Sequence, residues 1–235
     1  MELKLNSKPN SPIIIEGFPG LGFVGTIAVE FLIEHLNAKL IGKIESKEML
    51  PIAAIHKEMI IEPLGIFYDK SHNIVLVHAL GNITGLEWSL AEKLAELSKI
   101  LKAKEIISLE GVSSPTMGLN KELQSYVYST SQNKKLEKLG VQSLKEGVVV
   151  GVSGALLLKD KLPLTCIFSE TKTGMPDSRA AANVIKVIDQ YLGLKVDYKP
   201  LMKKADEFES KLKGLVTQAK EATDQKTKKE LDYFG

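Results

Sequence analysis

The chain has 235 residues, of which 44% are hydrophobic and 26% are charged, and its formal net charge is +2. This length can bury one sizeable core with an appendage, and the near balance of acids and bases does not favour a polyanionic partner. Arg179 is the only arginine, which argues further against a nucleic-acid-binding protein, because such proteins read bases largely through bidentate arginine contacts.

Cysteine use and hydropathy predict a cytoplasmic protein. The single cysteine, Cys166, excludes an intramolecular disulfide and fits a reducing compartment. The first residues lack the apolar segment of a signal peptide, and no run approaches the length of about 18 apolar residues typical of a membrane span. We therefore expect a soluble protein without a membrane partner.

A glycine-rich loop follows the first predicted strand. Residues 13–15 are a β-branched run typical of a buried strand, and four of the nine residues 17–25 are glycine. Residues 26–36 then carry apolar side chains at helical spacing. The pattern predicts a strand, a tight loop and a helix.

Two interpretations of this loop are open from the pattern alone. Gly20, Gly22 and Gly25 have the spacing of the dinucleotide-binding fingerprint, and Glu45 follows at about the distance of a ribose-binding acid. In the other interpretation the glycines only let helix and sheet pack closely. Pro19 favours this second interpretation, because proline fixes φ and removes an amide where a pyrophosphate would bind.

Strands and helices alternate along the following 150 residues. Strands are predicted over 40–44, 51–55, 59–61, 64–68, 73–80, 104–109, 124–130 and 164–168, and helices over 86–101, 133–139 and 178–192. For residues 151–157, periodicity does not decide between a helix and a bent strand. The order predicts a three-layer α/β domain, and the hairpin over 64–80 makes its sheet mixed.

The side chains that carry chemistry form no familiar catalytic or metal-binding motif. The four histidines share no metal-ligand spacing, so no metal site is predicted. Glu16 and Glu110 each end a predicted strand and could converge as an acid/base pair, although hydrogen bonding to loop amides is the simpler role. Arg179 follows Asp177 at a helix start, where it makes a local ion pair or binds an anion.

Three motifs resemble those of the archaeal proteasome-assembly-chaperone family, and they occur in the family's order. They are Glu-Gly-Phe-Pro-Gly-Leu-Gly-Phe-Val-Gly at 16–25, Gly-Val-Ser-Gly-Ala-Leu-Leu at 151–157 and Pro-Asp-Ser-Arg-Ala-Ala-Ala at 176–182. The resemblance covers about residues 10–195. It implies a fold similar to purine nucleoside phosphorylases, no enzymatic activity and no cofactor, and it favours a structural role for the glycine loop.

The competing function is a small-molecule or nucleotide-binding enzyme. It would use the glycine loop together with two distant side chains, namely Gly20, Gly22, Gly25, Glu45 and Arg179.

The composition changes after about residue 195, so we divide the chain into a family domain (1–195) and a C-terminal helix, linker and tail (196–235). Apolar residues alternate spacings of four and three, as in a coiled-coil seam. The seam residues are Leu201, Ala205, Phe208, Leu212, Leu215 and Ala219, and Ala222 continues the spacing. The seam packs either on its own domain or on another subunit. Its small residues favour close helix contact and a homo-oligomer.

The chain ends in Tyr233, Phe234 and Gly235. The resemblance points to proteasomal ATPases and assembly factors, whose tails end in a hydrophobic residue, a tyrosine and any residue, and insert between α subunits of the proteasome core particle. Phe234 stands at the tyrosine position, so the aromatic ring and the terminal carboxylate are kept while the hydroxyl is lost. The resemblance therefore implies an ATP-independent chaperone or activator whose partner is the core-particle α-subunit ring.

Overall fold

The computed structural model describes residues 1–49, 51, 54–56, 59–113, 123–130, 134–171, 175–203, 214 and 217. The strands are β1 (Glu2–Leu5), β2 (Ile13–Gly17), β3 (Lys39–Glu45), β4 (Ala54–His56), β5 (Met59–Ile61), β6 (Leu64–Asp69), β7 (Ile74–Ala79), β8 (Glu105–Val112), β9 (Ser125–Ser129), β10 (Gln142–Ser143) and β11 (Leu164–Glu170). The helices are α1 (Val24–His35), α2 (Glu87–Leu101), α3 (Lys134–Lys138), α4 (Gly151–Leu157), α5 (Ser178–Leu192) and α6 (Lys199–Lys203).

Nine of the strands form one mixed sheet, in the order β1-β3-β6-β7-β2-β8-β11-β9-β10. The four central strands β7, β2, β8 and β11 are parallel to one another, whereas β6 and β9 pair with them antiparallel at either side. The short strands β4 and β5 pair only with each other. The predicted mixed α/β sheet, including its hairpin over 64–80, is confirmed.

The central strands are buried on both faces, which explains their continuous apolar runs. Neighbouring residues on a strand point to opposite faces, so Ile15 and Ile107 pack against α1 and α5, while Ile14 and Ile106 pack against α2 and α4. Helices on both sides of one sheet confirm the three-layer architecture.

The structure decides one local feature that the sequence left open, adds two strands that were not predicted and confirms one helix cap. Residues 151–157 form a helix, α4, whose first residue Gly151 has a φ of +75° that favours glycine. The edge strands β1 and β10 were not predicted. Both are short and exposed, so neither has the apolar run that marks a buried strand. Asp177 caps α5 as expected, because its carboxylate accepts a hydrogen bond from the Ala180 amide.

The packed body continues past residue 195. Val196 is 5% exposed and Leu201 is fully buried, in the same core as α5. Leu201, the first residue of the predicted seam, therefore packs within its own chain. The other seam residues, Ala205, Phe208, Leu212, Leu215 and Ala219, and the tail residues Tyr233, Phe234 and Gly235 lie outside the described residues, so the seam, the docking tail and the domain boundary stay predictions.

In the part of the chain that the structure describes, no helix combines the length and apolarity needed to cross a bilayer.

The position of β2 creates the crevice where the candidate site lies. After β2 the chain passes through α1 on one face, and after the neighbouring β7 it passes through α2 on the other face before entering β8. The strand order thus reverses at β2, and ligands of open α/β sheets bind outside the carboxyl ends of the strands at such a reversal.

The turn from β2 into α1 depends on glycine because helix and sheet are in backbone contact there. A Cβ atom on Gly17 would lie 2.1 Å from the carbonyl oxygen of Gly25. A Cβ atom on Gly25 would lie 2.2 Å from the carbonyl oxygen of Leu109 on β8. Any side chain at either position would push α1 away from the sheet.

We predict that Gly17→Ala lowers the free energy of unfolding by about 1–3 kcal/mol or more, the range for overpacking a close contact. Gly81→Ala is the matched control, because no atom lies within 4 Å of the Cβ position there and its φ is not positive. Urea unfolding of both variants measures the difference. Equal stability of Gly17→Ala and the wild type would contradict the close-contact account.

Candidate functional site

The glycine-rich loop closes onto the chain itself. A Cβ atom on Gly20 would lie 2.1 Å from Oε1 of Glu110, and one on Gly111 would lie 2.1 Å from the carbonyl oxygen of Leu21. Gly22 has a φ of +65°, and a Cβ atom there would lie 2.6 Å from Oγ1 of Thr171. The space beside these glycines is therefore filled by the end of β8 and by Thr171.

The carboxylate of Glu110 binds one amide of this loop, that of Leu21. The Gly111 amide, on β8 itself, donates to Oε1 at 3.1 Å. Burial raises the pKa of Glu110 to about 7, and these hydrogen bonds oppose the rise. Backbone amides of a glycine loop are what a nucleotide phosphate would need. Here the protein's own carboxyl group takes the Leu21 amide.

Glu16 lies at the end of the adjacent strand β2 and is only 1% exposed. Its carboxylate accepts hydrogen bonds from the Phe18 amide and from the hydroxyl of Ser108, and among the described residues its Oε1 has no partner. Burial raises the pKa of Glu16 to about 8, and the nearby charge of Glu110 adds to the rise. Glu16 is therefore mostly protonated at neutral pH.

Two serines connect the two carboxyl groups. The hydroxyls of Ser108 on β8 and Ser153 on α4 lie 2.7 Å apart, and Ser153 Oγ lies 3.4 Å from Oε2 of Glu110. The thiol of Cys166, on β11, is also hydrogen-bonded to Ser108. Burial and both carboxyl groups raise the pKa of Cys166 far above its usual range, so it remains a thiol and is a poor nucleophile. The five residues form one buried polar cluster.

A groove of about 1300 Å³ opens at the carboxyl edge of the sheet beside this cluster. Glu110, Tyr126 and Phe168 line it from three neighbouring strands, and residues 142–151 line it from the side. The Tyr126 hydroxyl donates to the buried carboxylate of Glu170 at 3.0 Å. The groove is therefore partly apolar, with carboxyl groups at its inner end.

The three sequence motifs meet at this place. The first motif contributes Glu16 and the glycine loop, and the second contributes Ser153. The third contributes Asp177, whose amide donates to the Gly22 carbonyl at 2.9 Å and whose carboxylate accepts from Thr171 Oγ1 at 2.8 Å. The motifs are distant in sequence but form one packed unit at the strand reversal.

The structure separates Glu45 from the glycine loop. Glu45 ends β3, which lies three strands from β2, or roughly 14 Å at normal strand spacing. Its side chain forms exposed ion pairs with Lys4 and with Lys43 at 2.9 Å. In a dinucleotide-binding fold the ribose-binding acid comes from the strand next to the first one. This arrangement does not bring Glu45 to that place.

Arg179 is exposed in the first turn of α5, and none of the ion pairs that the structure describes involves it. The alternative set of Gly20, Gly22, Gly25, Glu45 and Arg179 is thus not assembled into one site. Among the described residues there is also no group of three or more His, Cys, Asp or Glu side chains that could hold a metal ion.

Sequence reasoning identified Glu16 and Glu110 as a pair that could converge, and the structure does bring them into one hydrogen-bonded cluster. Sequence reasoning did not identify Ser108, Ser153 or Cys166 as members of this cluster. Ser108 carries a signal in retrospect, since it is a polar residue inside the apolar strand β8. The contact of Ser153 depends on how α4 packs on the sheet, and that of Cys166 on the pairing of β11 with β8, which places it opposite Ser108; no local pattern shows either.

Comparisons with known proteins identify relatives over nearly the whole chain. The sequence profile of the PAC2 family matches residues 14–216. An uncharacterized protein of Methanocaldococcus jannaschii is 30% identical over 214 residues, which cover 88% of this chain and 87% of that protein.

Solved structures show the same fold. The crystal structure of Pyrococcus furiosus PbaA, described as an archaeal homolog of proteasome-assembly chaperone, matches with a TM-score of 0.83 and 34% identity, covering 94% of this chain and 99% of PbaA. Pyrococcus furiosus PbaB, described as an archaeal proteasome activator, matches with a TM-score of 0.71 and 23% identity, covering 91% of this chain and 98% of PbaB. At that identity the PbaB match shows a shared fold.

Because the two buried carboxyl groups have raised pKa values, we predict that the free energy of unfolding decreases as pH rises. Their pKa values are raised from 4.5 in the reference state to about 7 and about 8 in the fold. At a pH between 4.5 and the raised pKa value of each group, the folded chain holds a proton that the unfolded chain has lost. Each such group removes roughly 1.4 kcal/mol of unfolding free energy per pH unit, and the loss ends above about pH 8.

Urea unfolding between pH 5 and pH 8 tests this. Glu16→Gln and Glu110→Gln should each flatten the decrease, whereas Glu92→Gln, at an exposed position on α2, should leave it as in the wild type. A wild-type stability that rises with pH over this range would contradict the buried-carboxyl account.

Proposed function

The chain belongs to the PAC2 family, and on this basis we propose that it is a chaperone or activator of the proteasome core particle that acts without ATP. The resemblance seen in the three motifs is confirmed by the family match and by the likeness to PbaA. The observation that carries the proposal is the 34% identity to PbaA over almost the full length of both chains.

The geometry of the site supports a role without nucleotide chemistry. Two loop amides that could bind a phosphate are hydrogen-bonded to the protein's own carboxyl groups, that of Leu21 to Glu110 and that of Phe18 to Glu16. The buried thiol of Cys166 has a pKa raised far above its usual range, which disfavours a nucleophilic role. In this proposal the glycine loop stabilises the body by packing, and the contact with the proteasome is made elsewhere on the chain.

We place the contact with the α-subunit ring at the last three residues, Tyr233, Phe234 and Gly235. A phenylalanine ring can fill an apolar pocket, and the terminal carboxylate can pair with a lysine of the partner in a charge-assisted contact. Gly235 has no side chain that would obstruct that contact. The stretch 226–230 is polar and lysine-rich, and in this proposal it serves as the linker between the seam and the tail.

Several tails on one particle would strengthen binding through effective concentration. We propose that the seam residues from Ala205 onward pair with a second copy of the chain. Leu201 supports this division of roles, because it is buried against α5 and so holds the start of the C-terminal helical region to its own body. The homo-oligomer would then present its tails together.

Deleting residues 233–235 should leave fold and oligomer intact and remove binding to proteasome α subunits. Phe234→Ala should weaken binding by about 2 kcal/mol or more per tail if the ring is a buried anchor. Phe234→Tyr should preserve or tighten binding. Surface binding to immobilised core particle measures all three, with Thr227→Ala in the linker as the control variant.

Undiminished binding after deletion of the tail would show that the body makes the contact. An extension added after Gly235 should harm binding as much as deletion does, because it moves the terminal charge away from its partner. An extended chain that binds normally would contradict the role of the carboxylate.

Replacing Phe208 and Leu212 with Asp places charge in the apolar seam and should reduce the oligomer to a smaller, folded particle. Ser210→Asp with Thr217→Asp is the matched control, because these positions lie on the opposite side of the heptad pattern. Light scattering gives the mass in solution, and circular dichroism shows whether the body stays folded. An unchanged mass for the seam variant would exclude the seam as the main contact.

A further inference from the structure

The groove at the strand reversal has the dimensions and position of a ligand site. Its volume of about 1300 Å³ can hold a small metabolite, since ligand pockets of proteins are typically about 300–1,000 Å³. It opens at the carboxyl ends of β8 and β11, where open α/β sheets bind their ligands. The proposed contact with the proteasome does not use it.

One member of the buried cluster, Glu110, lines the groove. The carboxyl oxygens of Glu16 and Glu110 accept from the loop amides of Phe18 and Leu21, from the Gly111 amide on β8 and from two serine hydroxyls, which also bond to each other. Oε1 of Glu16 has no partner among the described residues, although the side chain is only 1% exposed. Its hydrogen bond to Ser108 continues through Ser153 to Glu110, so this carboxyl group is directed into the cluster.

Glu110 is the carboxyl group of the cluster that lines the groove, and burial disfavours its charged form, so a cationic donor that enters from the groove would stabilise that form. The charges of the groove favour a cationic donor. Glu87, Glu110 and Glu146 line it, and Lys145 is the only cation among its described lining residues. Phe168 and Val149 add apolar surface for the rest of a ligand.

We propose that the groove binds a small molecule that carries a protonated amine on an apolar body. The ammonium group donates to the carboxylate of Glu110, which is the member of the cluster that lines the groove. The apolar part packs against Phe168. An anionic ligand is disfavoured, because its charge would meet three carboxyl groups and one lysine.

Binding of such a ligand is linked to protons. An ammonium group beside Glu110 lowers its pKa from about 7, so the amine binds more tightly as pH rises from 6 to 8 and protons are released below pH 7. If the pKa moves below 6, the affinity increases about tenfold over this range. The other titratable groups that face the site are Glu16 from β2, Cys166 from β11, Tyr126 from β9, Glu87 from α2, and Lys145 and Glu146 from the segment before α4.

Titration calorimetry with phenethylamine tests the proposal, with 2-phenylethanol as the uncharged counterpart and ATP as the anionic one. We expect saturable binding of the amine, binding of the alcohol at least tenfold weaker, and no binding of ATP. Repeating the titration at pH 6.5 in two buffers of different ionisation enthalpy measures the released protons directly in the wild type. This measurement of proton release uses the wild-type protein alone.

Glu110→Gln should weaken amine binding at least tenfold and reduce its pH dependence, whereas Glu92→Gln, which removes the same charge at an exposed position on α2, should bind as the wild type does. Circular dichroism verifies that each variant is folded, and the wild-type proton release decides the matter if Glu110→Gln does not fold. Absence of saturable amine binding, equal binding of amine and alcohol, or binding without proton release would overturn the proposal.

Discussion

The hydrogen bond from the Leu21 amide of the glycine loop to the Glu110 carboxylate determines how the carboxyl edge of the sheet is arranged. It fixes the loop after β2 against the end of β8, while Gly17 and Gly25 bring α1 into backbone contact with the same strands. Side-chain contacts of Ser153 and Asp177 add α4 and α5 to this arrangement. A carboxyl group and a glycine loop that could serve nucleotide chemistry instead bind each other.

This arrangement also makes the stability of the body depend on pH. Burial raises the pKa of both Glu16 and Glu110 into the neutral range, so part of the stability of the body depends on protons that the carboxyl groups hold. Strongly shifted groups beside a groove are typical of functional sites, although structural networks also shift pKa values. The Glu110 carboxyl group that holds the loop therefore also lines the groove.

Much of the fold could be predicted from sequence because the central strands are buried on both faces and carry unbroken apolar runs. Helix ends were marked by Asp177 and by glycines with positive φ such as Gly193. The edge strands β1 and β10 could not be predicted in this way, because exposed strands lack an apolar run.

Only part of the candidate site could be predicted from the sequence. Glu16 and Glu110 stand at strand ends, but Ser153 and Cys166 meet them only through the packing of α4 and β11. The spacing of the glycines matched the nucleotide-binding fingerprint, yet spacing alone does not show that the carboxyl group of Glu110 on a neighbouring strand accepts from the Leu21 amide of the loop.

In the proposed function, the body provides stability and the C-terminal tail makes the contact with the proteasome. The most direct test of that account is competition between the full-length chain and a synthetic peptide of residues 226–235 for immobilised proteasome α subunits. The account predicts that the peptide with a free terminal carboxylate displaces the chain, and that the same peptide with an amidated end does so far less well. Failure of the full-length chain to bind α subunits at all would contradict it.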